Sequence, residues 1–353
     1  MNSKHLLWLL LLIPALAFMG CEGDQGPAGP AGPAGEDGTD GMDGTDGMDG
    51  ANGTSVAVCL DCHSDASSLQ VYLEYAQSHH QEGLYVGYAG GRASCARCHG
   101  KQGFIEYAVT GDVSGDIADP AAIDCATCHS VHPNTFGVRL NGPVTMIWDE
   151  TYGPLDFGDN SNLCANCHQS RRAEPNISDP GETFEITSTH YGPHHGAQAN
   201  VLEGVGFAEI PGSTAYPAPS TASGHLSVGG TCVACHMADY TENAGGHTRH
   251  PTLEFCTNCH ACAADFDING FQTEIQGKLD ELRDILVDLG VVEYVEADEA
   301  YEPIVGTYPM VQAQAFFNWI GLEEDRSKGV HNPRYYEALL DNTIEALTPV
   351  PAN

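Results

Sequence analysis

Apolar and polar positions divide this 353-residue chain into four stretches of different texture. The first, residues 1–20, holds the apolar run Leu6 to Met19, preceded by Lys4 and followed by the small residues Gly20 and Cys21. The run is too short to span a bilayer comfortably and has the flanks of a signal peptide. In the second stretch, residues 21–55, apolar periodicity disappears and glycine falls at every third position from Gly23 to Gly53. The third, residues 56–262, has few long apolar runs and is rich in Gly, Pro, Asn and Ser, which predicts loops and short helices. Within it, Val71 to His80 reads as a short helix with His79 and His80 at its end.

The fourth stretch, residues 263–353, is helical by its pattern. Phe271, Ile275, Leu279, Leu282, Leu286 and Leu289 recur at three- and four-residue spacing, with Asp267 or Asn269 as a cap and Gly290 as a stop. A second helix is expected from Pro309 to Ile320, ending at Gly321. A third begins after Asn332-Pro333, with Asn as N-cap, Pro at the first helical position, and Tyr336, Leu339, Leu340 and Leu347 along one side. This section is expected to pack on whatever fills the third stretch.

Cysteine changes the picture. Cys-X-X-Cys-His occurs six times, at Cys59/Cys62/His63, Cys95/Cys98/His99, Cys125/Cys128/His129, Cys164/Cys167/His168, Cys232/Cys235/His236 and Cys256/Cys259/His260. Composition alone would give roughly 0.03 copies. The pattern is that of covalent c-type haem attachment: two thiols form thioethers to the porphyrin, and the adjacent His becomes the proximal iron ligand. Zinc sites and thiol redox pairs also use Cys-X-X-Cys, but neither asks for a His directly after every second Cys. Six covalently bound haem c groups in one modest chain imply electron transfer. The expected fold is therefore a multihaem cytochrome, mostly loops and short α-helices wrapped around a haem array, with a helical C-terminal section and little or no β-sheet. Each motif is expected as a short helical turn, because thiols at i and i+3 must face one porphyrin edge.

Motif starts are 36, 30, 39, 68 and 24 residues apart, which excludes a solenoid of equal repeats. Of the two cysteines outside the motifs, Cys21 closes Leu16-Ala17-Phe18-Met19-Gly20-Cys21, which resembles a bacterial lipoprotein cleavage site with Cys21 as the lipidated residue. For Cys262 a buried, inert thiol is the default reading. The glycine-periodic tract admits two readings. A collagen triple helix would make the protein a homotrimer on a stalk on the order of 100 Å long. A flexible acidic tether is the other, because Glu36 to Asp49 carries six acids and no base. Both raise the haem domain above a lipid anchor. The formal charge of −35 speaks against a nucleic-acid partner.

Iron needs a second axial ligand. Outside the motifs and the signal, ten histidines remain, whereas Met146, Met237 and Met310 are the only methionines beyond the tether. His on both sides of every iron is thus expected, giving low-spin closed centres that pass electrons without binding substrate. The distal candidates are His79, His80, His132, His194, His195, His225, His247 and His331. The choices between His79 and His80 and between His194 and His195 stay open. His190 and His250 read as supporting or surface residues.

Ser78-His79-His80, His190-Tyr191-Gly192-Pro193-His194-His195-Gly196, Cys232-Val233-Ala234-Cys235-His236-Met237 with Gly246-His247-Thr248, and Asp325-Arg326-Ser327-Lys328-Gly329-Val330-His331-Asn332 carry a resemblance. From Cys59 through about Asn342 the chain resembles the multihaem c-type cytochromes of metal-reducing bacteria, near the cytochrome c554-like and filament-forming outer-membrane group. The glycine-periodic tether departs from that group's usual pattern. The resemblance implies an outer-membrane or cell-surface lipoprotein. It would relay electrons from a periplasmic or outer-membrane donor to an extracellular acceptor such as a metal oxide, a shuttle or another cytochrome. Two rival readings are a nitrite- or hydroxylamine-converting enzyme with one open haem, and a subunit of a cytochrome filament or stalked trimer.

Overall fold

The computed structural model describes residues 67–130, 137–175, 182–220, 223–241 and 243–348. The signal, Cys21, the glycine-periodic tract, the first motif (Cys59, Cys62, His63) and His132 lie outside the described residues. In chain order the helices of the motif-bearing region are α1 (Ser67–Tyr75), α2 (His79–Glu82), α3 (Ala93–His99), α4 (Lys101–Thr110), α5 (Cys125–Cys128), α6 (Ser161–Ala165), α7 (Gln198–Glu203), α8 (Gly224–Ser227), α9 (Cys232–His236) and α10 (Leu253–Thr257), with strand β1 (Thr183–Ile186) between α6 and α7. The C-terminal section holds α11 (Phe271–Asp288), β2 (Val292–Val295), β3 (Ala300–Pro303), β4 (Gly306–Pro309), α12 (Met310–Asp325) and α13 (Pro333–Leu347). Short helices and loops thus precede three long helices.

Two antiparallel ribbons complete the fold. β2 pairs with β3, from Val292 opposite Pro303 to Val295 opposite Ala300. β1 pairs with β4, from Thr183 opposite Pro309 to Ile186 opposite Gly306. The second ribbon stitches the motif-bearing region to the C-terminal section.

The three long helices share one apolar core. Ile275, Leu279, Leu282 and Leu286 form the buried stripe of α11, as the three- and four-residue spacing requires. Opposite them lie Phe316, Trp319 and Leu322 of α12 and Tyr335, Tyr336, Leu339 and Leu340 of α13. The motif-bearing region contributes Ile186, Ala197, Val201 and Phe207 to this core, so the two regions are packed into each other. Two buried asparagines reinforce the junction. Asn318 Oδ1 accepts from the Ala208 amide at 2.9 Å while its Nδ2 donates to the Ala208 carbonyl at 2.8 Å. Asn342 does the same at Thr214, at 2.9 and 2.8 Å. Each side chain completes both hydrogen bonds of a backbone unit that has no strand partner there. A second, smaller cluster joins Val144, Met146, Leu155, Ala165 and Ala199. Met146, fully buried within it, acts as packing.

Several boundaries differ from the pattern-based expectation. α12 runs through Gly321 to Asp325 and ends at Arg326, whose φ is +61°. A β-carbon at position 321 would meet Phe207 Cε1 at 2.5 Å and Pro193 Cγ at 2.7 Å, so this glycine permits a close approach and does not stop the helix. His79 and His80 open α2 instead of ending α1; Ser78 is its N-cap, with Oγ accepting from the His80 amide at 3.2 Å. At α11 the N-cap position is Gly270, while Asp267 reaches forward to the Thr273 amide and hydroxyl. Asn332 and Gly290 behave as expected: Asn332 Oδ1 caps the Tyr335 amide, and Gly290 follows α11 with φ +70°. Cys262 is exposed, contrary to the default of a buried thiol, because it lies in a turn at the surface just beyond the last motif.

Candidate haem-iron centres

The five described motifs sit on helical turns or directly at their ends. Cys95, Cys98 and His99 close α3; Cys125 and Cys128 bracket α5; Cys164 is on α6; Cys232, Cys235 and His236 make up most of α9; Cys256 is on α10. Local sequence explains how two of them are set. Asp124 caps α5, accepting from the Thr127 amide at 3.2 Å, and Thr127 Oγ1 accepts in return from the Asp124 amide at 3.0 Å, a reciprocal box that fixes the turn. α3 is pressed onto α4 because Gly103 lies directly on Ala96, where a β-carbon would meet the Ala96 carbonyl at 2.4 Å.

The sixth motif keeps the expected turn, but its helix stops short of the second thiol, as it does at the fourth motif, where α6 ends at Ala165 before Cys167. α10 ends at Thr257, so Cys259 falls outside the helix. It sits in the turn that follows, its amide donating to the Cys256 carbonyl at 3.1 Å, and both Cys259 and His260 are exposed. The reason is positional: the chain here leaves the motif-bearing region along the surface toward Cys262 and α11. An enclosed thiol pair is therefore not found at Cys256 and Cys259, where the polypeptide covers only the first of the two.

The motif turns are neighbours in an order that chain order does not give. Cys98 Sγ donates to the Asn166 carbonyl at 3.8 Å and Cys167 Sγ to the Arg97 carbonyl at 3.9 Å, while the Val233 amide donates to Ser161 Oγ at 3.0 Å and Thr231 Oγ1 to Asp159 at 2.6 Å. The fourth motif therefore lies between the second and the fifth. The thiols are free cysteines among the described residues, as thioether formation requires.

Four motif histidines face a histidine from far along the chain. Ring centroids are 5.8 Å apart for His99 and His194, 6.3 Å for His129 and His247, 6.0 Å for His168 and His80, and 6.3 Å for His236 and His331. Two imidazoles on one metal ion, each with a metal–nitrogen distance of ~2 Å and ~1.1 Å from nitrogen to centroid, would place their centroids ~6.3 Å apart. The spacing fits. Donors come in pairs, and among the described residues no group of three or more His, Cys, Asp or Glu could hold a bare ion. Two donors are what an iron already held by four porphyrin nitrogens lacks.

Tautomers point the same way. His236 Nδ1 lies 2.8 Å from the Arg249 carbonyl, His225 Nδ1 2.8 Å from the Val330 carbonyl and His168 Nδ1 3.0 Å from Gln198 Oε1. His331 Nδ1 lies 2.7 Å from Asp325 Oδ1. A carbonyl or carboxylate oxygen only accepts, so Nδ1 carries the proton and Nε2 keeps the lone pair a metal needs. His80 differs: its Nδ1 is buried with no hydrogen-bond partner. Burial also keeps these rings neutral. It lowers His80 and His194 to about 3 and pulls His99, His168, His236 and His247 below the ordinary histidine range. His331 moves upward; burial opposes this, but the Asp325 carboxylate outweighs it.

The remaining candidates are placed differently. His195 is exposed and paired with Glu324 at 2.5 Å, so of the two adjacent rings it is His194 that stands opposite His99. His79 is exposed, bonded to Glu82 at 3.2 Å, and its ring is 6.3 Å from that of His250, so two histidines outside the motifs also face each other. His190 is exposed. His260 lies beside a surface groove of about 410 Å³ lined also by Cys262, Asp265 and Ile268. Sequence reasoning missed the groups behind the rings: Gln198, Asp325, and Glu74, whose Oε2 is 3.7 Å from His247 Nδ1 and accepts from its amide at 3.0 Å. Only Ser78-His79-His80-Gln81 carried a usable signal, since Ser-X-X-Gln marks a helix start and so separates the orientations of His79 and His80.

No protein-family model matches the chain. It is 23% identical over 256 residues to the C-type polyheme cytochrome OmcB of Geobacter sulfurreducens, in each of two strains, covering 65% of this chain and 31% of that one. A solved structure, that of the outer cell wall cytochrome OcwA, superposes with a TM-score of 0.50 at 19% identity, covering 79% of this chain and 50% of that one. The chain thus spans about a third of the curated relatives and half of the solved one. Among the described residues no helix is long and apolar enough to cross a membrane.

Proposed function

We propose that this chain, a relative of the multihaem c-type cytochromes, is an electron-transfer protein carrying six covalently bound haem c groups. The carrying observation is the set of four motif histidines that each face a histidine from far along the chain at a separation matching two imidazoles on one metal. In this reading His99 and His194, His129 and His247, His168 and His80, and His236 and His331 hold four irons between them. His63 and His260 hold the other two, with partners drawn from His79, His132, His195 and His225. The twelve motif cysteines, including Cys59 and Cys62, form the thioethers. At the sixth motif the porphyrin itself would cover the exposed thiol of Cys259. The haem iron supplies reversible one-electron exchange. The protein fixes the rings and supplies two donors to each pair, so that imidazoles occupy both sides and substrate has no place to bind.

Electrons would enter from a periplasmic or outer-membrane donor and leave to an extracellular acceptor: a metal oxide, a shuttle or another cytochrome. The likeness to the outer cell wall cytochrome OcwA supports a location outside the cytoplasm, with Cys21 as lipid anchor and the glycine-periodic tract as tether or trimer stalk. Pyridine haemochrome analysis should count six haems per chain, and ferric EPR should show only low-spin signals. A count of one or two would overturn the reading. A stoichiometric high-spin signal that binds nitrite or cyanide would replace it with an enzyme having one open iron.

A further inference from the structure

The groups surrounding the facing histidines differ in charge from one pair to the next. Behind His331 stands Asp325, 2% exposed. One carboxylate oxygen is 2.7 Å from His331 Nδ1; the other accepts from Tyr336 Oη at 3.1 Å and from Ser327 Oγ. Its partners are thus the imidazole and two hydroxyls, with no Lys or Arg among the ion pairs it makes. At the start of the same motif, Asp159 accepts from Thr231 Oγ1 at 2.6 Å, next to Cys232. The charged side chains placed at this centre are thus carboxylates.

The pair His99 and His194 has the reverse environment. The guanidinium of Arg171 reaches Cys95 Sγ at 3.9 Å, and its charge acts on Cys98, His99 and His194. Arg97, beside Cys98, stacks on Tyr107 at 3.8 Å, and Arg92 on Tyr88 at 4.2 Å. The nearby anion Glu324 is engaged by His195. In a chain with 13 basic and 48 acidic residues, three arginines around one motif is a local reversal of the overall charge.

These two centres flank the fourth motif. The Val233 amide donates to Ser161 Oγ at 3.0 Å, and Cys98 and Cys167 donate to the Asn166 and Arg97 carbonyls at 3.8 and 3.9 Å, so the fourth motif joins the fifth to the second. At that middle motif His168 is oriented by the neutral Gln198 amide.

We propose that Asp325 and Arg171 are positioning residues that polarise these three motifs: the buried carboxylate behind His331 favours ferric iron at the His236/His331 centre, and the arginines favour ferrous iron at the His99/His194 centre. A carboxylate hydrogen-bonded to Nδ1 pushes electron density onto the ring and stabilises the more positive oxidation state. A cation beside the thioether edge stabilises the state with one electron more. Asp325 has the larger effect, because it is buried and in direct hydrogen bond; Arg171 is exposed and screened. An electron on these motifs is therefore biased from the fifth through the fourth to the second.

The inference rests on the proposed function, and one experiment separates their fates. Full-length D325N, D325E, R171Q, H331M and H331M/D325N are first assayed for haem count, then titrated spectropotentiometrically. With six haems present, D325N should move one component positive, raising its ferrous-to-ferric ratio at fixed potential about tenfold, or about 59 mV for a one-electron couple. D325E should restore it. R171Q should move a different component negative, by a smaller amount. In the H331M background D325N should add nothing, because the ring it acts through is gone. An unmoved titration in D325N with the haem count intact, a shift of all components together, or a shift that persists in H331M would overturn the polarity while leaving the electron-transfer reading in place. If D325N yields no holoprotein, R171Q, changed at an exposed side chain, decides: no negative shift there overturns the proposal. A wild-type count of one or two haems would instead overturn the reading beneath it.

Discussion

The C-terminal section and the motif-bearing region obey opposite rules of burial. In the first, Phe316, Phe317, Tyr335, Tyr336, Leu282 and Leu286 are wholly enclosed by protein. In the second, Leu69, Tyr72, Leu73, Leu84, Tyr85, Tyr88 and Val109 stand exposed on the polypeptide, and the apolar cluster beneath the motifs is small. A folded chain seldom leaves that many large apolar side chains together in water. The difference teaches that one region carries its core in its own side chains, whereas the other leaves apolar side chains uncovered that the proposed haem groups would cover.

Withholding the cofactor breaks the comparison most severely. When the full chain is produced without haem attachment, amides of α11, α12 and α13 should keep strong hydrogen-exchange protection, while those of α3 and α5 should exchange at rates near those of an unfolded chain. The helical turns of the motifs are four to seven residues long, below the length at which a helix holds itself together. Equal protection in the two regions would show that the motif region needs no cofactor to fold.

Next in size is the loss of a core aromatic. Phe316 is fully buried between the helices, so Phe316→Ala should lower the stability of the holoprotein by about 3–5 kcal/mol. The haem count should stay at six, because that side chain packs on Tyr191 and Trp319 within the helical core. A denaturant titration showing a loss below about 1 kcal/mol would mean that the haem array, and not this core, sets global stability. Asn318→Ala follows, at about 2–3 kcal/mol, since it removes the hydrogen bonds to the Ala208 amide and carbonyl and to Thr343 Oγ1 and strands the buried Ala208 amide. Asn318→Asp should be nearly as costly, because a carboxylate cannot donate to that carbonyl.

Legibility in the sequence followed the same division. The stripe of α11 and the Asn-Pro start of α13 could be read because they are local: periodicity and capping reside within one turn of the residues concerned. Gly321 misled for a physical reason. A glycine near the end of a helical pattern can serve a left-handed stop or a close approach, and only the positions of Phe207 and Pro193, more than a hundred residues earlier, decide between them. The ribbon joining Thr183–Ile186 to Gly306–Pro309 was invisible for a similar reason, since four-residue strands leave almost no pattern. The six motifs were plain. That the last of them would leave Cys259 at the surface was not, because exposure depends on where the following chain runs. Nor was it plain which histidine would face which, because partners lie 88 to 118 positions apart and their meeting depends on the whole fold. Asp325 sat inside a segment singled out for His331, yet nothing local said that its carboxylate would turn back to the ring.

The smallest effect separates the two regions most cleanly, because it reverses an order. Leu84 is 71% exposed and Leu289 40% exposed. If both faced water, truncation would change stability by no more than about 0.5 kcal/mol at either site, with Leu84 the more neutral of the two. Leu84, however, precedes Tyr85, whose ring is 6.2 Å from that of His99, whereas Leu289 ends α11 far from any motif in sequence. With haem in place, the Leu84 side chain gains an apolar surface that the polypeptide alone does not offer, and burying it there is worth about 1.5–3 kcal/mol. Leu84→Ala should therefore destabilise the holoprotein by about 1–2 kcal/mol and shift the Soret band slightly. Leu289→Ala should stay within about 0.5 kcal/mol with an unchanged spectrum. Chemical denaturation monitored by absorbance measures both at once. If the two variants are equally mild, or Leu289→Ala is the worse, the exposed apolar side chains of the motif region do not face porphyrin, and the contrast between the regions loses its physical basis.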